Sequence, residues 1–298
     1  AEYAEPKRRG FFASWVQIGA PVGFLLPMAL FALLNATLSP EAMMDYGWRI
    51  PFLLSLLLVI VGLFIRLRID ESPVFAQIRE TKAEESRPLI EVIRDFPGIV
   101  VKGVCAKLIE ACTFAMFTVI VLAYGKANNL DANILMETMI IAVVIEVLAI
   151  PMMGALCDKI GRKPVYIMGA LIQVIMIIPF FLAINQDNFW LTQLVMIIVI
   201  SFGHSMCYAP QASFFPELFP THIRCSGIAL IWQLGSLIGS GVLGLVAVKI
   251  LQMTGGHYYG LASYVIVLGI ISVIGLLMMP ETAPQRLKRE YQEWRKHD

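Results

Sequence analysis

The chain has 298 residues, of which 58% are hydrophobic and 15% charged, and its mean hydropathy is +0.74. Water-soluble domains carry roughly 45–50% apolar and about 25% charged residues, so this composition excludes an ordinary soluble fold and makes a lipid bilayer the expected partner. A net charge of +1 leaves no basic excess for nucleic acid. The five cysteines, Cys105, Cys112, Cys157, Cys207 and Cys225, lie in or beside apolar runs without a CxxC pair, which reads as reduced packing residues and not as a metal site or disulfide framework.

A helix that crosses a hydrocarbon core of roughly 30 Å needs about 20 mostly apolar residues. Eight stretches qualify, at about 12–35, 49–68, 98–124, 132–155, 164–184, 189–215, 225–250 and 258–279. The first follows a basic Lys7, Arg8, Arg9 with neither an initiator Met nor a signal-peptide pattern, which reads as a cut start. After the second comes the longest connector, about Arg66 to Pro97, rich in both signs of charge (Arg79, Glu80, Lys82, Glu84, Glu85, Arg87), and expected to be a partly helical surface linker between two bundles. The later runs Ile140–Ile145 and Val195–Ile200 are β-branched, but their segments are long and lack period-two alternation, so an all-α polytopic protein is expected. The domain reading is residues 1–68 as two helices of a first bundle, 69–97 as linker, 98–280 as a six-helix bundle and 281–298 as a tail.

Basic residues assign the sides. Lys7–Arg9, the 66–102 region, Lys159–Lys163, Arg224 and the tail beyond Pro280 hold 19 of the 23 Lys and Arg, and they alternate with loops holding only Arg49, Lys126 and Lys249. By the positive-inside rule both termini are expected in the cytoplasm of an inner-membrane protein.

Charges inside hydrocarbon are costly, which makes Lys107, Glu110, Glu146 and His204 candidates for substrate or proton handling. Lys107 and Glu110 are three residues apart and share a helix face. Glu146 lies at a comparable depth, so a triad around one lysine is feasible. In such a triad Lys107 would attract an anionic group and a glutamate would accept a proton, although a purely structural ion pair fits equally. His204, Tyr208 and Gln211 follow at i, i+4 and i+7, a polar stripe suited to a cavity wall. Gln233 and Trp232 offer an amide and an aromatic face in the next segment, with lipid the other surrounding open to Trp232.

The chain also repeats itself. Glu2 and Arg9 are spaced as Glu217 and Arg224 are, and Gln17, Gly19, Gly23 as Gln233, Gly235, Gly239. Each set leads to an acidic proline turn, Glu71-Ser72-Pro73 or Glu281-Thr282-Ala283-Pro284, at an offset of about 210–216 residues. In the turn between segments four and five stands Gly154-Ala155-Leu156-Cys157-Asp158-Lys159-Ile160-Gly161-Arg162-Lys163, and in the next basic-side turn Pro216-Glu217-Leu218-Phe219-Pro220-Thr221-His222-Ile223-Arg224. Glycines permit a sharp reversal, Asp158 can face a helix N-terminus, and Arg162 can bridge to a carboxylate, so the pair of turns can lock and release.

The first turn resembles the signature loop G-x-x-x-D-x-x-G-R-K/R of the major facilitator superfamily, and the second resembles the E-x-F-P-x-x-x-R element of its sugar-porter-like members. With Gly47-Trp48-Arg49-Ile50-Pro51-Phe52, Tyr208-Ala209-Pro210-Gln211 and Gly19-Ala20-Pro21-Val22-Gly23, the chain resembles the metabolite:proton symporter branch, which includes shikimate, α-ketoglutarate, citrate and proline/betaine carriers. The resemblance implies two parallel six-helix repeats. Segments one and two would then end the first and segments three to eight would form the whole second, with four helices missing before Ala1. It further implies a secondary carrier of a small polar metabolite, an organic acid or zwitterion, coupled to protons and needing neither cofactor nor metal. Gly154, Asp158, Gly161, Arg162, Lys163, Glu217 and Arg224 would form its cytoplasmic gate. The alternatives are a truncated fragment that cannot transport by itself, a channel, or an intramembrane enzyme, but no P-loop, HExxH or G-x-S-x-G turn supports catalysis.

Overall fold

The structure, a computed structural model, describes residues 8–68 and 88–283. Glu2, Glu71-Ser72-Pro73, Pro284 and most of the expected linker lie outside these residues. Among the described residues the chain is helical without a strand. Eight of its helical stretches are long and apolar enough to cross a membrane, and the chain is an integral membrane protein.

The elements in order are α1 (Arg9–Gln17), α2 (Gly19–Thr37), α3 (Pro40–Asp45), α4 (Ile50–Arg68), α5 (Pro88–Asp95), α6 (Pro97–Ala127), α7 (Ala132–Ile160), α8 (Arg162–Ile184), α9 (Phe189–Glu217), α10 (Arg224–Met253) and α11 (Tyr259–Leu277). Most of the long helices overrun the apolar windows by a few residues, and two of them open on side-chain caps at the edge of the oily stretch. The Asp131 carboxylate accepts from Asn133 N at 2.8 Å to open α7, and Asn188 Oδ1 accepts from Leu191 N at 3.0 Å to open α9. Between α7 and α8 the reversal is made at Gly161, whose φ of 109° and ψ of 158° place it where a side chain is strained. Gly161→Ala is expected to destabilise the protein by about 1–3 kcal/mol, measured as a lower thermal midpoint in detergent, whereas an unchanged midpoint would show that the reversal tolerates a Cβ.

By contact the chain forms two units. One joins residues 8–18 to 88–283, and the other is residues 19–68. In the second unit α2 and α4 pack together around an apolar cavity of about 530 Å³, lined among others by Leu26, Pro27, Leu30 and Leu58. The α4 surface is oily along its length, with Phe52, Leu53, Leu56, Val59 and Leu63 all exposed, as expected of a helix surrounded by lipid or by other helices and not by water.

In the first unit α6 lies at the centre, packed against α10, α11 and, more lightly, α8 and α9. Around it, α8 packs on α9 and α11, while α7 packs on α9 and α1. Glycine sets the closeness of α6 and α10. A Cβ on Gly239 would stand 2.8 Å from Leu108 O, and one on Gly235 would stand 2.4 Å from Lys107 Cγ. The repeated glycines are thus points of close approach, Gly239 to the α6 backbone and Gly235 to the Lys107 side chain, which explains their type at these positions. Three helices carry π-helical turns that the sequence pattern does not announce: Met116–Ile120 in α6, Ile197–His204 in α9 and Leu237–Gly241 in α10. Each widens the helix and shifts the faces that follow it. Of the cysteines, Cys112, Cys157 and Cys207 are buried, Cys225 is exposed, and all five are free thiols.

Candidate functional site

The first unit buries four ionisable side chains in one cluster. Lys107 and Glu110, one turn apart on α6, form an ion pair. His204, at the end of the π-helical turn of α9, sits between two carboxylates: Nδ1 contacts Glu146 Oε1 from α7, and Nε2 lies 3.2 Å from Glu110 Oε1. None of the four is more than 4% exposed. Gln211, two turns beyond His204, donates from Nε2 to Glu110 Oε2 at 3.1 Å and to the Tyr166 hydroxyl at 2.8 Å. Tyr166 in turn donates to Ala106 O at 3.0 Å, which ties α8 to α6. Because α9 is regular from Ser205 onward, the i, i+4, i+7 spacing holds. Tyr208 accordingly stacks on His204 with ring centres 5.2 Å apart and planes 22° apart.

Two aromatic faces complete the lysine's surroundings. The Lys107 ammonium is 3.8 Å from the ring centre of Trp232 and 5.6 Å from that of Tyr208, a cation–π arrangement. Gln233 does not join the cluster. It is exposed, and the same helix presents its neighbour Trp232 to Lys107 instead. Successive helical residues point about 100° apart, so only one of the pair can face α6. Tyr166 is a residue that the sequence reading left without a role, whereas Trp232, left open between an aromatic wall and a lipid-facing position, turns to the lysine. A sequence signal existed for Trp232, three positions before the packing glycine Gly235 and hence on nearly the same face.

The second constellation lies where α7 turns into α8. The Asp158 carboxylate accepts from Gly10 N at 2.8 Å and Phe11 N at 2.9 Å, an anion on the N-terminus of α1. Gly10 and Gly154 make this approach possible, since a Cβ on either would stand 2.8 Å from the other's carbonyl oxygen. Arg162 is fully buried. Its guanidinium lies 3.3 Å from Asp158 Oδ1 and 3.2 Å from Glu217 Oε2, and it donates to Glu217 Oε1 at 3.2 Å. Glu217 also accepts from the Thr282 hydroxyl.

Glu281 is the partner that spacing alone does not reveal. Its carboxylate accepts from Arg162 N at 3.0 Å and Lys163 N at 3.1 Å and so caps α8. The Lys163 ammonium donates to Leu277 O and Met279 O, at 2.9 and 2.8 Å. Arg224 opens α10 and is half-buried. The gate candidates Gly154, Asp158, Gly161, Arg162, Lys163 and Glu217 therefore meet in one place, linking the ends of α1, α7, α8, α9 and α11.

The profile of the Major Facilitator Superfamily matches residues 103–296, and that of the sugar (and other) transporters matches residues 1–102. The chain is 30% identical over 285 residues to the shikimate transporter of Escherichia coli K12, covering 94% of this chain and 65% of that protein. It is 32% identical over 307 residues to the proline/betaine transporter of Salmonella typhimurium LT2, covering 97% and 59%. The chain thus spans less than two thirds of the length of these relatives. Among solved structures, a double-tryptophan mutant of XylE superposes with a TM-score of 0.74 at 19% identity, covering 95% of this chain and 67% of that one. A D-xylose-proton symporter superposes at 0.62 with 21% identity, covering 95% and 65%. A profile that matches most of the chain, residues 103–296, establishes that this protein belongs to the Major Facilitator Superfamily.

Proposed function

We propose that the protein is part or all of a secondary carrier that moves a small polar metabolite, an organic acid or a zwitterion, across the inner membrane with protons. The observation that carries this reading is the buried Lys107–Glu110–His204–Glu146 cluster. Four ionisable groups in a bilayer-spanning bundle are costly, and such a set suits a site that takes up charge from outside. The named relatives carry shikimate in one case and proline or betaine in another, two solutes that each bear a carboxylate. Lys107 supplies the cation for that carboxylate, Glu110 or Glu146 supplies the proton acceptor, and Tyr208, Gln211 and Trp232 form the walls. Gln233, exposed as it is, is left out of this site.

The Asp158–Arg162–Glu217 constellation is the cytoplasmic gate of the same proposal. It holds the N-terminus of α1 against α7, and breaking it would release that contact in an alternating-access cycle. Both termini lie in the cytoplasm, the gate on that side. Residues 98–280 act as one bundle and 69–97 as the linker to the other.

The test uses Trp232, one of five tryptophans, kept as the single fluorophore in purified protein. Shikimate and glycine betaine are titrated in detergent, and uptake of both is followed in proteoliposomes with and without an inward proton gradient. A saturable change in Trp232 emission, with gradient-stimulated accumulation of one solute, is expected. If neither solute perturbs Trp232 and neither accumulates, the carrier reading is wrong.

A further inference from the structure

We propose that the groove between the opening of α6 and the end of α11 binds one anionic phospholipid, with the lipid phosphate on Lys102 and an acyl chain laid between the two helices. The site is on the lipid-facing side of the first unit, away from the buried cluster, and does not depend on which solute the protein carries.

Two helical stripes make the groove, which encloses about 470 Å³. Gly98, Lys102 and Cys105 share one face of α6, and Ile271, Gly275 and Met278 share one face of α11, each set at spacings of four and three. The helices touch at one level and part at the next. A Cβ on Gly275 would stand 2.8 Å from Cys105 Cβ and 3.0 Å from Lys102 O, whereas one on Gly98 would meet nothing within 4 Å. The groove is therefore widest at the helix ends, where a headgroup and the start of a chain fit, and shallows towards the bilayer centre, where the chain joins the surrounding lipid. Its wall is almost wholly apolar even though Lys102 belongs to it, which means that the methylene stem lines the groove and the ammonium stands at the rim.

Depth favours a phosphate. α6 has 31 residues. At about 1.5 Å per residue it is about 46 Å long against about 30 Å of hydrocarbon, so about 8 Å overhangs at each end. Lys102, the sixth residue of the helix, is about 7.5 Å from its start and so stands where hydrocarbon gives way to headgroups. Protein supplies no counter-charge there: among the described residues no carboxylate pairs with Lys102, and those of the adjoining α5 are taken, Asp95 by Arg94 and Glu91 by His222. The Lys163 ammonium, which donates to Leu277 O and Met279 O, places a second positive charge at the same end of α11. A lipid with a net negative headgroup answers this charge, whereas in a zwitterionic lipid the choline offsets its own phosphate. A free phosphate ion has the charge but nothing to fill the apolar groove below the lysine.

The experiment places a tryptophan beside the groove. Ile270, exposed and one turn deeper than the groove residue Ile274, is replaced by tryptophan in the full chain. The protein is reconstituted in mixed bilayers of phosphatidylglycerol and phosphatidylcholine with one or the other lipid brominated in mid-chain, and the quenching of the unmodified chain is subtracted. The added tryptophan is expected to meet phosphatidylglycerol about fivefold more often, relative to its share of the bilayer, than phosphatidylcholine. Lys102→Gln should bring this ratio to one and Lys102→Arg should keep it. Gly98→Leu, whose side chain enters the open end of the groove, should lower it. Leu148→Trp, exposed on α7, should show no preference. Equal quenching by the two lipids at Ile270→Trp, a preference that survives Lys102→Gln, or the same preference at Leu148→Trp overturns the site. Loss of the preference on adding inorganic phosphate would identify a free-anion site and overturn the lipid as its occupant.

Discussion

Replacing Lys107 by methionine should destabilise the protein by about 3–5 kcal/mol, because it keeps the buried volume but strips Glu110 of its ammonium. Two carboxylates then share the single imidazole of His204, and at least one proton must be recruited to restore neutrality. Pairing Lys107→Met with Glu110→Gln removes both ends of the ion pair, so most of the lost stability should return. Thermal unfolding of the three variants in detergent forms a double-mutant cycle whose coupling measures the pair. A single variant that melts with the unmodified protein would mean that Lys107 is not held as a charged group. Binding separates from folding here: neither the single nor the stabilised double variant should bind shikimate, since both lack the cation that receives its carboxylate.

Arg162→Ala should have a comparable effect on stability, about 3–5 kcal/mol, for a related reason. The guanidinium is completely buried and serves Asp158, Glu217 and Cys157 O at once. Without it two carboxylates face each other across a space left by one of the largest fully buried side chains among the described residues. Lysine is a poor substitute, since a point charge cannot reproduce a planar fork directed at two carboxylates. The functional signature differs from that of Lys107. Solute binding, read at Trp232, should change little in Arg162→Lys, while exchange across proteoliposomes should fall sharply, because in the proposed cycle the contact of Asp158 with the α1 N-terminus is made and broken. Equal loss of binding and exchange would place Arg162 in solute recognition and not in the gate.

Composition and hydropathy alone determined that this chain lives in lipid, that it is helical, and where its eight crossings lie, because burying a bare backbone in hydrocarbon leaves few solutions other than helices. Motif spacing also pointed to the α7–α8 reversal, since Gly161 and Arg162 sit in a turn so short that local geometry fixes it. The Lys107–Glu110 pair was legible for the same reason, being one turn apart on one helix.

What only the tertiary structure decided is which distant groups meet. No periodicity along α7 or α9 says that Glu146 and Glu110 approach His204 from two sides, or that Trp232 rather than Gln233 turns towards Lys107. These contacts depend on the rotation of each helix about its axis, which is set by glycine contacts such as Gly235 against Lys107 and by the π-helical turn before Ser205. Glu281 shows the same division: its type and its proline turn were visible, but its role as the cap of α8 arises only where α11 ends beside the α7–α8 reversal. A one-dimensional pattern fixes the side of a helix only relative to itself, and packing against neighbours determines what that side faces.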